Sequence, residues 1–134
     1  MKLIWFSLVL AIWNLSVVGA GEGLQSSPNL STEDKGSWLF HACQANIRTM
    51  DAADGGTDAD VALTEKCIDY EEGVFDGALS VSPRSFCPGN ATNGTMIRVY
   101  VNYMQEHPKL LDEAKSVGLI QAWIHAYPCP RSRK

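Results

Sequence analysis

Apolar residues recur every three or four positions between residues 63 and 81, which is the spacing of an amphipathic helix. Two apolar rows run side by side along this segment. A helix with two apolar faces must contact more than one neighbour, so we expect this segment to form the central helix of the fold. The first row consists of Leu63, Cys67, Tyr70, Val74, Ala78 and Val81, and the second of Ile68, Phe75 and Leu79.

The remaining face of this predicted helix is acidic. Glu65, Asp69, Glu72 and Asp76 follow one another at spacings of four, three and four residues, which places them on one stripe. Paired carboxylates can serve acid–base catalysis, but no second catalytic constellation accompanies these four. We therefore interpret the acidic stripe as a solvated helix face or a docking surface.

Two glycines, Gly73 and Gly77, lie in the middle of the same helix. Each costs roughly 1 kcal/mol of helix stability relative to alanine. A glycine retained at that cost usually allows a neighbouring backbone to approach closely. The sequence therefore predicts that another helix crosses at this point.

A first helix is predicted over residues 35–50, and a loop separates it from the central helix. The loop spans residues 51–60, which contain a Gly-Gly pair, several acids and no large apolar side chain. We expect Asp58 or Asp60 to cap the central helix. The predicted apolar face of the first helix consists of Leu39, Ala42, Cys43, Ile47 and Met50.

Two more helices are predicted in the second half of the chain. Thr95 can cap a third helix that runs to about Glu106, with Ile97, Tyr100, Val101 and Met104 facing inward. Residues 99–103 have strong strand propensity and could alternate instead. The His-Pro pair at 107–108 ends that helix, because the residue before proline disfavours the helical region, and proline suits the first turn of the next helix. The fourth helix is predicted from there to Pro128. The fold class predicted is an all-α, small four-helix bundle.

The first residues predict export. Lys2 precedes an apolar run that is too short to span a bilayer comfortably, and small residues follow at 18–20. We expect residues 1–20 to be a signal peptide cleaved after Ala20, with a retained membrane anchor as the alternative. Residues 21–134 then form a single exported helical domain, with no membrane association after cleavage.

Charge is unevenly distributed along the chain. The sequence has 15 acidic and 11 basic residues, for a net charge of −4, which argues against a nucleic-acid partner. Residues 51–76 contain nine acids and one lysine, for a net charge of −8, whereas residues 77–134 carry +4. The first half would attract a cationic partner. The alternative is that these acids are solvated faces and a polar loop.

The chain contains four cysteines, which in an exported domain predict two disulfides. No CxxC spacing occurs, which argues against zinc. Two antiparallel helices bring together residues equidistant from the connecting loop. The first two cysteines lie twelve residues on either side of Gly55, and the last two lie 21 residues on either side of Pro108. The predicted disulfides are therefore Cys43–Cys67 and Cys87–Cys129.

No catalytic or metal-binding motif emerges from the sequence. A thiol hydrolase would need a free cysteine beside His41, His107 or His125, and the disulfides use all four thiols. The histidines lack metal-ligand spacing, and no GxSxG, phosphate-loop or HExxH motif occurs. Residues 54–60 imitate part of a calcium loop but lack the third-position oxygen ligand and the sixth-position glycine. We expect a binding protein without enzymatic activity, metal or cofactor.

Several short motifs occur in a fixed order along the chain. They are Cys43 in the first helix, Cys67-x-x-Tyr70-x-x-Gly73-x-x-Asp76 in the second, and then Phe86-Cys87-Pro88, His107-Pro108 and Ala126-x-Pro128-Cys129. Their order and spacing resemble the Rap1a/Tai immunity proteins, which protect bacteria from peptidoglycan amidases delivered by type VI secretion. The resemblance extends over most of the mature chain. One departure is Asp69, where the family commonly has a small residue.

The resemblance implies a periplasmic, helical, disulfide-stapled protein, often a homodimer, that binds a cognate cell-wall amidase and blocks its substrate cleft. The residues themselves favour the acidic loop 51–60 as the contact surface, with the loop 88–94 as second choice. The predicted partner-binding residues are Asp51, Asp54, Asp58, Asp60, Asn90 and Asn93.

Two other functions are alternatives to the immunity function. One is an exported carrier of small hydrophobic ligands, as in helical four-cysteine odorant-binding proteins. Those proteins place two cysteines with three residues between them, whereas no two cysteines here are closer than twenty positions. The other is a periplasmic chaperone of acid-stress type, whose helices would expose apolar surface when acidified.

Overall fold

The computed structural model describes residues 30–130, and this part of the chain is built from helices without a β-strand. The predicted all-α four-helix fold is confirmed. The predicted signal peptide, residues 1–20, lies outside the described residues. The α-helices are α1 (Gly36–Asp51), α2 (Asp58–Val81), α3 (Asn93–Glu106) and α4 (Lys115–Ala126), and the short 3-10 helices are Thr32–Asp34 and Pro108–Asp112.

The central helix of the fold is α1, which packs against α2, α3, α4 and both 3-10 helices. The prediction that α2 is central is wrong. Only Cys67 and Glu71 of its 24 residues are buried, and Val81 is 88% exposed. Several helices can pack around α1 because small side chains make up much of its buried surface. Its buried residues are Gly36, Leu39, Ala42, Cys43, Ala45 and Asn46.

The glycines in the middle of α2 do not mark a close crossing, contrary to the prediction. A Cβ placed on Gly73 or Gly77 would meet no heavy atom of the described chain within 4 Å. The close approaches occur at two other glycines. A Cβ on Gly36 would overlap the carbonyl oxygen of Leu110, and one on Gly118 would lie 2.5 Å from a methionine sulfur in α3. These two positions set how closely α1 and α4 pack against their neighbours.

Threonines cap α2 and α3, each one residue before the helix begins. The Thr57 hydroxyl accepts a hydrogen bond from the backbone N–H of Asp60 at 3.1 Å, and the Thr92 hydroxyl accepts one from Thr95 at 3.3 Å. The predicted caps Asp58, Asp60 and Thr95 are therefore wrong, since all three lie inside the helices. In both cases the cap is the threonine with extended backbone dihedrals, as a capping side chain requires.

α3 is helical throughout, so the alternative of a strand at residues 99–103 is wrong. The side chains predicted to face inward are buried, and tertiary packing therefore overrides the local strand propensity. The four predicted inward residues are Ile97, Tyr100, Val101 and Met104.

The fourth helix begins later than predicted. Pro108–Asp112 forms a 3-10 helix, and the next two residues are extended before α4 starts at Lys115. The N–H of Gly36 donates to the carbonyl of Glu113 at 2.8 Å, and an isolated β-bridge joins Lys35 to the following residue. This pairing with the start of α1 holds the chain extended where the sequence alone predicted continuous helix.

Both predicted disulfides are present. One joins α1 to α2 and closes 24 residues, and the other joins the segment before α3 to the segment after α4 and closes 42 residues. Under the chain-entropy model, loops of these lengths stabilise the fold by roughly 3–4 kcal/mol each. The bonds are Cys43–Cys67 and Cys87–Cys129.

Aromatic rings fill the space between α2, α4 and the Cys87 segment. Trp123 of α4 is fully buried, and its ring centroid lies 5.2 Å from that of Phe86 and 6.0 Å from that of Phe75. Phe75 is the main side chain that α2 contributes to this cluster. α2 therefore packs inward through Phe75, the Cys43–Cys67 bond and a row of half-buried apolar side chains, whereas its outer face is open to solvent.

Candidate partner-binding surface

No catalytic constellation forms among residues 30–130. All four cysteines are in disulfides, and the three histidines are exposed. His107 is held at its turn, with Nδ1 2.8 Å from the carbonyl oxygen of Tyr103 and its ring stacked on that tyrosine. The described part of the chain contains no group of three or more histidine, cysteine, aspartate or glutamate side chains placed to hold a metal ion.

Two of the predicted partner-binding residues are paired with arginines of this chain. Asp51 forms a bidentate pair with Arg98 of α3, and Asp60 accepts two hydrogen bonds from Arg48 of α1 at 2.6 and 3.2 Å. The hydrogen bond from each arginine lowers the pKa of its partner carboxyl, and Thr57 adds a smaller effect at Asp60. The loop 51–60 is consequently less able to attract a cation than its composition suggested.

The other two acids of this loop differ in their role. The Asp54 carboxylate accepts a hydrogen bond from the N–H of Gly56 at 3.2 Å, where two successive glycines have positive φ. It therefore shapes the turn. Asp58 is the exposed first residue of α2, and Asn90 is exposed in the loop before α3. Asp58 and Asn90 are the predicted residues most open to a partner.

The two loops predicted as alternative contact surfaces lie near the same end of the bundle. A Cβ on Gly94, at the start of α3, would lie 3.0 Å from the sulfur of Met50 in the last turn of α1. The Asp51–Arg98 pair joins the same two helices. Met50, predicted to face inward, is instead 43% exposed at this junction. The surface near this junction thus combines polar loops with one exposed apolar side chain.

Asn93 connects the end of the bundle where α1 meets α3 to the acidic stripe of α2. Its side-chain amide donates a hydrogen bond to the carboxylate of Glu72 at 2.9 Å. All four residues of the stripe are exposed, and none forms an ion pair with a base in the described part of the chain. The carboxylates without a cationic partner are therefore concentrated along α2, outside the loop that the sequence favoured. They are Glu65, Asp69, Glu72 and Asp76.

Sequence reasoning missed Glu71, the one buried acid in the described part. It is 1% exposed, and neither carboxylate oxygen has a hydrogen-bond partner there. Burial, and secondarily the charge of Glu72, raise the pKa of Glu71 to about 7. A signal was available, because Glu71 lies four residues after Cys67 and four before Phe75, on the face that packs inward.

Glu71 lies at the base of a recess of about 230 Å³ in the surface beside α2. Only residues of α2 and the start of α3 line this recess, which places it between the acidic stripe and the second predicted contact loop. Its other lining residues are Glu72, Phe75, Asp76 and Asn93.

Comparison with known proteins agrees with the motifs in the sequence. The family model of the Rap1a immunity proteins matches residues 35–129, a range that contains all four helices and both disulfides. No curated protein and no solved structure is significantly similar to the chain. The match spans more than half of the sequence, and on that ground the chain belongs to the Rap1a immunity protein family.

Proposed function

We propose that this protein acts in the periplasm, where it binds a cognate peptidoglycan amidase of type VI secretion and occludes the substrate cleft of that enzyme. As a Rap1a family member it is an immunity protein for a secreted effector. The amidase target, the compartment and the steric mechanism are the proposed part. They follow from the resemblance of the motifs to immunity proteins that act against cell-wall amidases.

The observation that carries this proposal is the family match across the whole described fold. A disulfide-stapled scaffold supports an oxidising compartment such as the periplasm, because thiols in the cytosol are kept reduced. Among residues 30–130, no helix is both long and apolar enough to cross a membrane. Immunity proteins of this family are typically periplasmic.

The candidate occluding surface is the end of the bundle where α1 meets α3, together with the neighbouring face of α2. It presents Asp58, the exposed first residue of α2, and the exposed loop residue Asn90 beside the acidic stripe. Acids without cationic partners steer a basic partner toward this side and raise the association rate more than the final affinity. The rigid helices then exclude substrate by occupying the cleft.

The test uses any exported enzyme that a neighbouring gene encodes. If that enzyme is a peptidoglycan amidase, the purified disulfide-bonded protein should abolish its activity at a near-equal molar ratio. Tight binding with full residual activity would contradict occlusion. An exported neighbour of another enzyme class would contradict the amidase target and leave the family assignment intact.

The packing of the core argues against the carrier function. The rings of Phe75, Phe86 and Trp123 occupy the space between α2 and α4, where a bound lipophile would otherwise lie. A fluorescent lipophile should therefore bind weakly or not at all at neutral pH. Dye binding that increases strongly on acidification would support the chaperone function instead.

A further inference from the structure

Glu71 opposes the stability of the fold that contains it. A buried carboxyl without hydrogen-bond partners either bears the desolvation cost of its charge or keeps its proton. Among residues 30–130, neither oxygen of Glu71 has a hydrogen-bond partner, and the charge that acts on it is the repulsive one of Glu72. Groups that break the rules of polar burial occur preferentially at functional sites. A cation that paired with Glu71 would remove this cost.

The recess above Glu71 is suited to receive that cation. Its ionisable lining residues, Glu71, Glu72 and Asp76, are all acids, and Asn93 is its remaining polar residue. Its volume of about 230 Å³ is several times the ~30 Å³ share of one water molecule in the liquid, so a side-chain head group fits. Charge complementarity therefore selects a positively charged group.

The lining distinguishes between kinds of cation. The described residues contain no cluster of three or more acids, histidines or cysteines placed around a metal ion, which disfavours a bare divalent cation. Phe75 supplies a half-buried aromatic wall beside the carboxylates. A guanidinium is planar, donates two parallel hydrogen bonds to one carboxylate and packs against aromatic rings, whereas an ammonium is a compact and strongly hydrated point charge.

We propose that the recess formed by Glu71, Glu72, Phe75, Asp76 and Asn93 is a docking site for an arginine side chain of a partner protein. The guanidinium donates to both oxygens of Glu71, and the rim carboxylates of Glu72 and Asp76 complete the site. The inference rests on the proposed function in one respect, since the effector is the protein that supplies the arginine. It predicts that α2, in addition to the loops, contacts the effector.

The first experiment needs no effector. Nα-acetyl-arginine amide is titrated into the oxidised protein, and the side-chain carboxyl signals of ¹³C-labelled glutamate are followed by NMR as a function of pH. Saturable binding in the range of roughly 1–10 mM that lowers the pKa of Glu71 is expected. Nα-acetyl-lysine amide should bind at least about fivefold more weakly, since it cannot bridge two oxygens in one plane.

Matched variants test whether the arginine probe binds at Glu71. Glu71→Gln should abolish probe binding, whereas Glu65→Gln, on the exposed stripe of the same helix, should leave it unchanged. Asp76→Asn alters only the exposed rim and should weaken binding severalfold, which keeps the inference testable if Glu71→Gln folds poorly. An unchanged Glu71 signal, or tight binding of Ca²⁺ in preference to the arginine probe, would overturn the inference.

The second experiment uses the cognate amidase of the proposed function. Losing one partner of a buried hydrogen-bonded charge pair should weaken complex formation by roughly thirtyfold or more in Glu71→Gln, and less than twofold in Glu65→Gln. Equal affinities of the two variants would overturn the arginine contact even if the amidase is fully inhibited. An amidase that is not inhibited at all would instead contradict the proposed function, while the arginine probe still tests the recess.

Discussion

The ammonium nitrogen of Lys115 lies 4.6 Å from the centroid of the Tyr70 ring. The same nitrogen lies 5.2 Å from the ring centroid of Trp38 and donates a hydrogen bond to the carbonyl of Glu33 at 2.9 Å. Lys115 is the first residue of α4, Tyr70 belongs to α2 and Trp38 to α1. One partly buried lysine therefore connects three helices at the end of the bundle that carries no predicted contact loop.

Replacing Lys115 with methionine tests this connection. Methionine keeps much of the side-chain length but loses the cation–π contacts and the hydrogen bond, so the free energy of unfolding should fall by roughly 1–2 kcal/mol. Urea denaturation followed by circular dichroism measures the change. Lys109→Met is the matched control, since Lys109 is exposed on the 3-10 helix. Equal stability of the two variants would show that the contacts of Lys115 contribute nothing.

Replacing Gly36 and replacing Gly73 with alanine should change the stability of the protein in opposite directions. Gly36→Ala should destabilise the protein by roughly 1–3 kcal/mol, because the added methyl overlaps a backbone carbonyl that cannot move independently. Gly73→Ala should stabilise it by roughly 0.5–1 kcal/mol, since the methyl meets open space and alanine favours the helix. Thermal unfolding of both variants checks the signs. A loss of stability in Gly73→Ala would support the prediction that another helix crosses α2 closely at this point.

Local pattern predicted the helices of this chain well, and non-local contacts account for most of the errors. The 3.6-residue period located α1, α2 and α3 because one face of each helix must be apolar. The period does not identify which helix each face contacts, so the pattern predicts α2 at the centre, where the structure has α1. The delayed start of α4 depends on pairing between Glu113 and Gly36, which are far apart in the sequence and share no local signal.

The candidate surface could be predicted only in part, because non-local contacts also determine its charge. The acids of residues 51–76 were visible as a charge excess, but their arginine partners come from other helices, Arg48 from α1 and Arg98 from α3. Composition therefore overstated the free charge at Asp51 and Asp60. The sequence does not single out Glu71, because a glutamate is normally exposed, and its burial depends on tertiary packing.

The two disulfides should contribute unequally to stability. Each closes a loop worth roughly 3–4 kcal/mol in the chain-entropy model, but Cys43 and Cys67 are fully buried, whereas Cys87 is exposed. Replacing the buried pair with alanine also leaves a cavity. The Cys43→Ala/Cys67→Ala variant should therefore be less stable than the Cys87→Ala/Cys129→Ala variant. Chemical denaturation ranks the two, and the reverse order would show that loop length outweighs packing.

The exposed disulfide should also be the first to be reduced. A thiolate must reach a sulfur atom to attack it, and the Cys87–Cys129 bond is the accessible one of the two. Mass spectrometry after a timed treatment with dithiothreitol and alkylation should find these two cysteines labelled before Cys43 and Cys67. Simultaneous labelling of all four would mean that reduction follows global unfolding.

The stability of the protein should depend on pH through Glu71. In the folded state its pKa is raised to about 7 from an ordinary value of 4.5, mainly by burial. Between these two values the unfolded chain has released the proton and the folded chain retains it, so the unfolded state binds fewer protons. Stability therefore falls as pH rises from about 4.5 to about 7 and stays at the lower level above it. A shift of this size corresponds to about 3 kcal/mol.

Glu71→Gln removes this dependence because the amide does not titrate. The variant should be more stable than the parent protein by about 3 kcal/mol at pH 8, and the difference should disappear below about pH 4.5, where the carboxyl is protonated in both states. Urea denaturation at pH 4, 6 and 8 measures it, with Glu65→Gln as the exposed control. The difference in free energy of unfolding between the two proteins could instead stay constant over this pH range. That result would show that Glu71 titrates normally and is already paired or hydrated in solution.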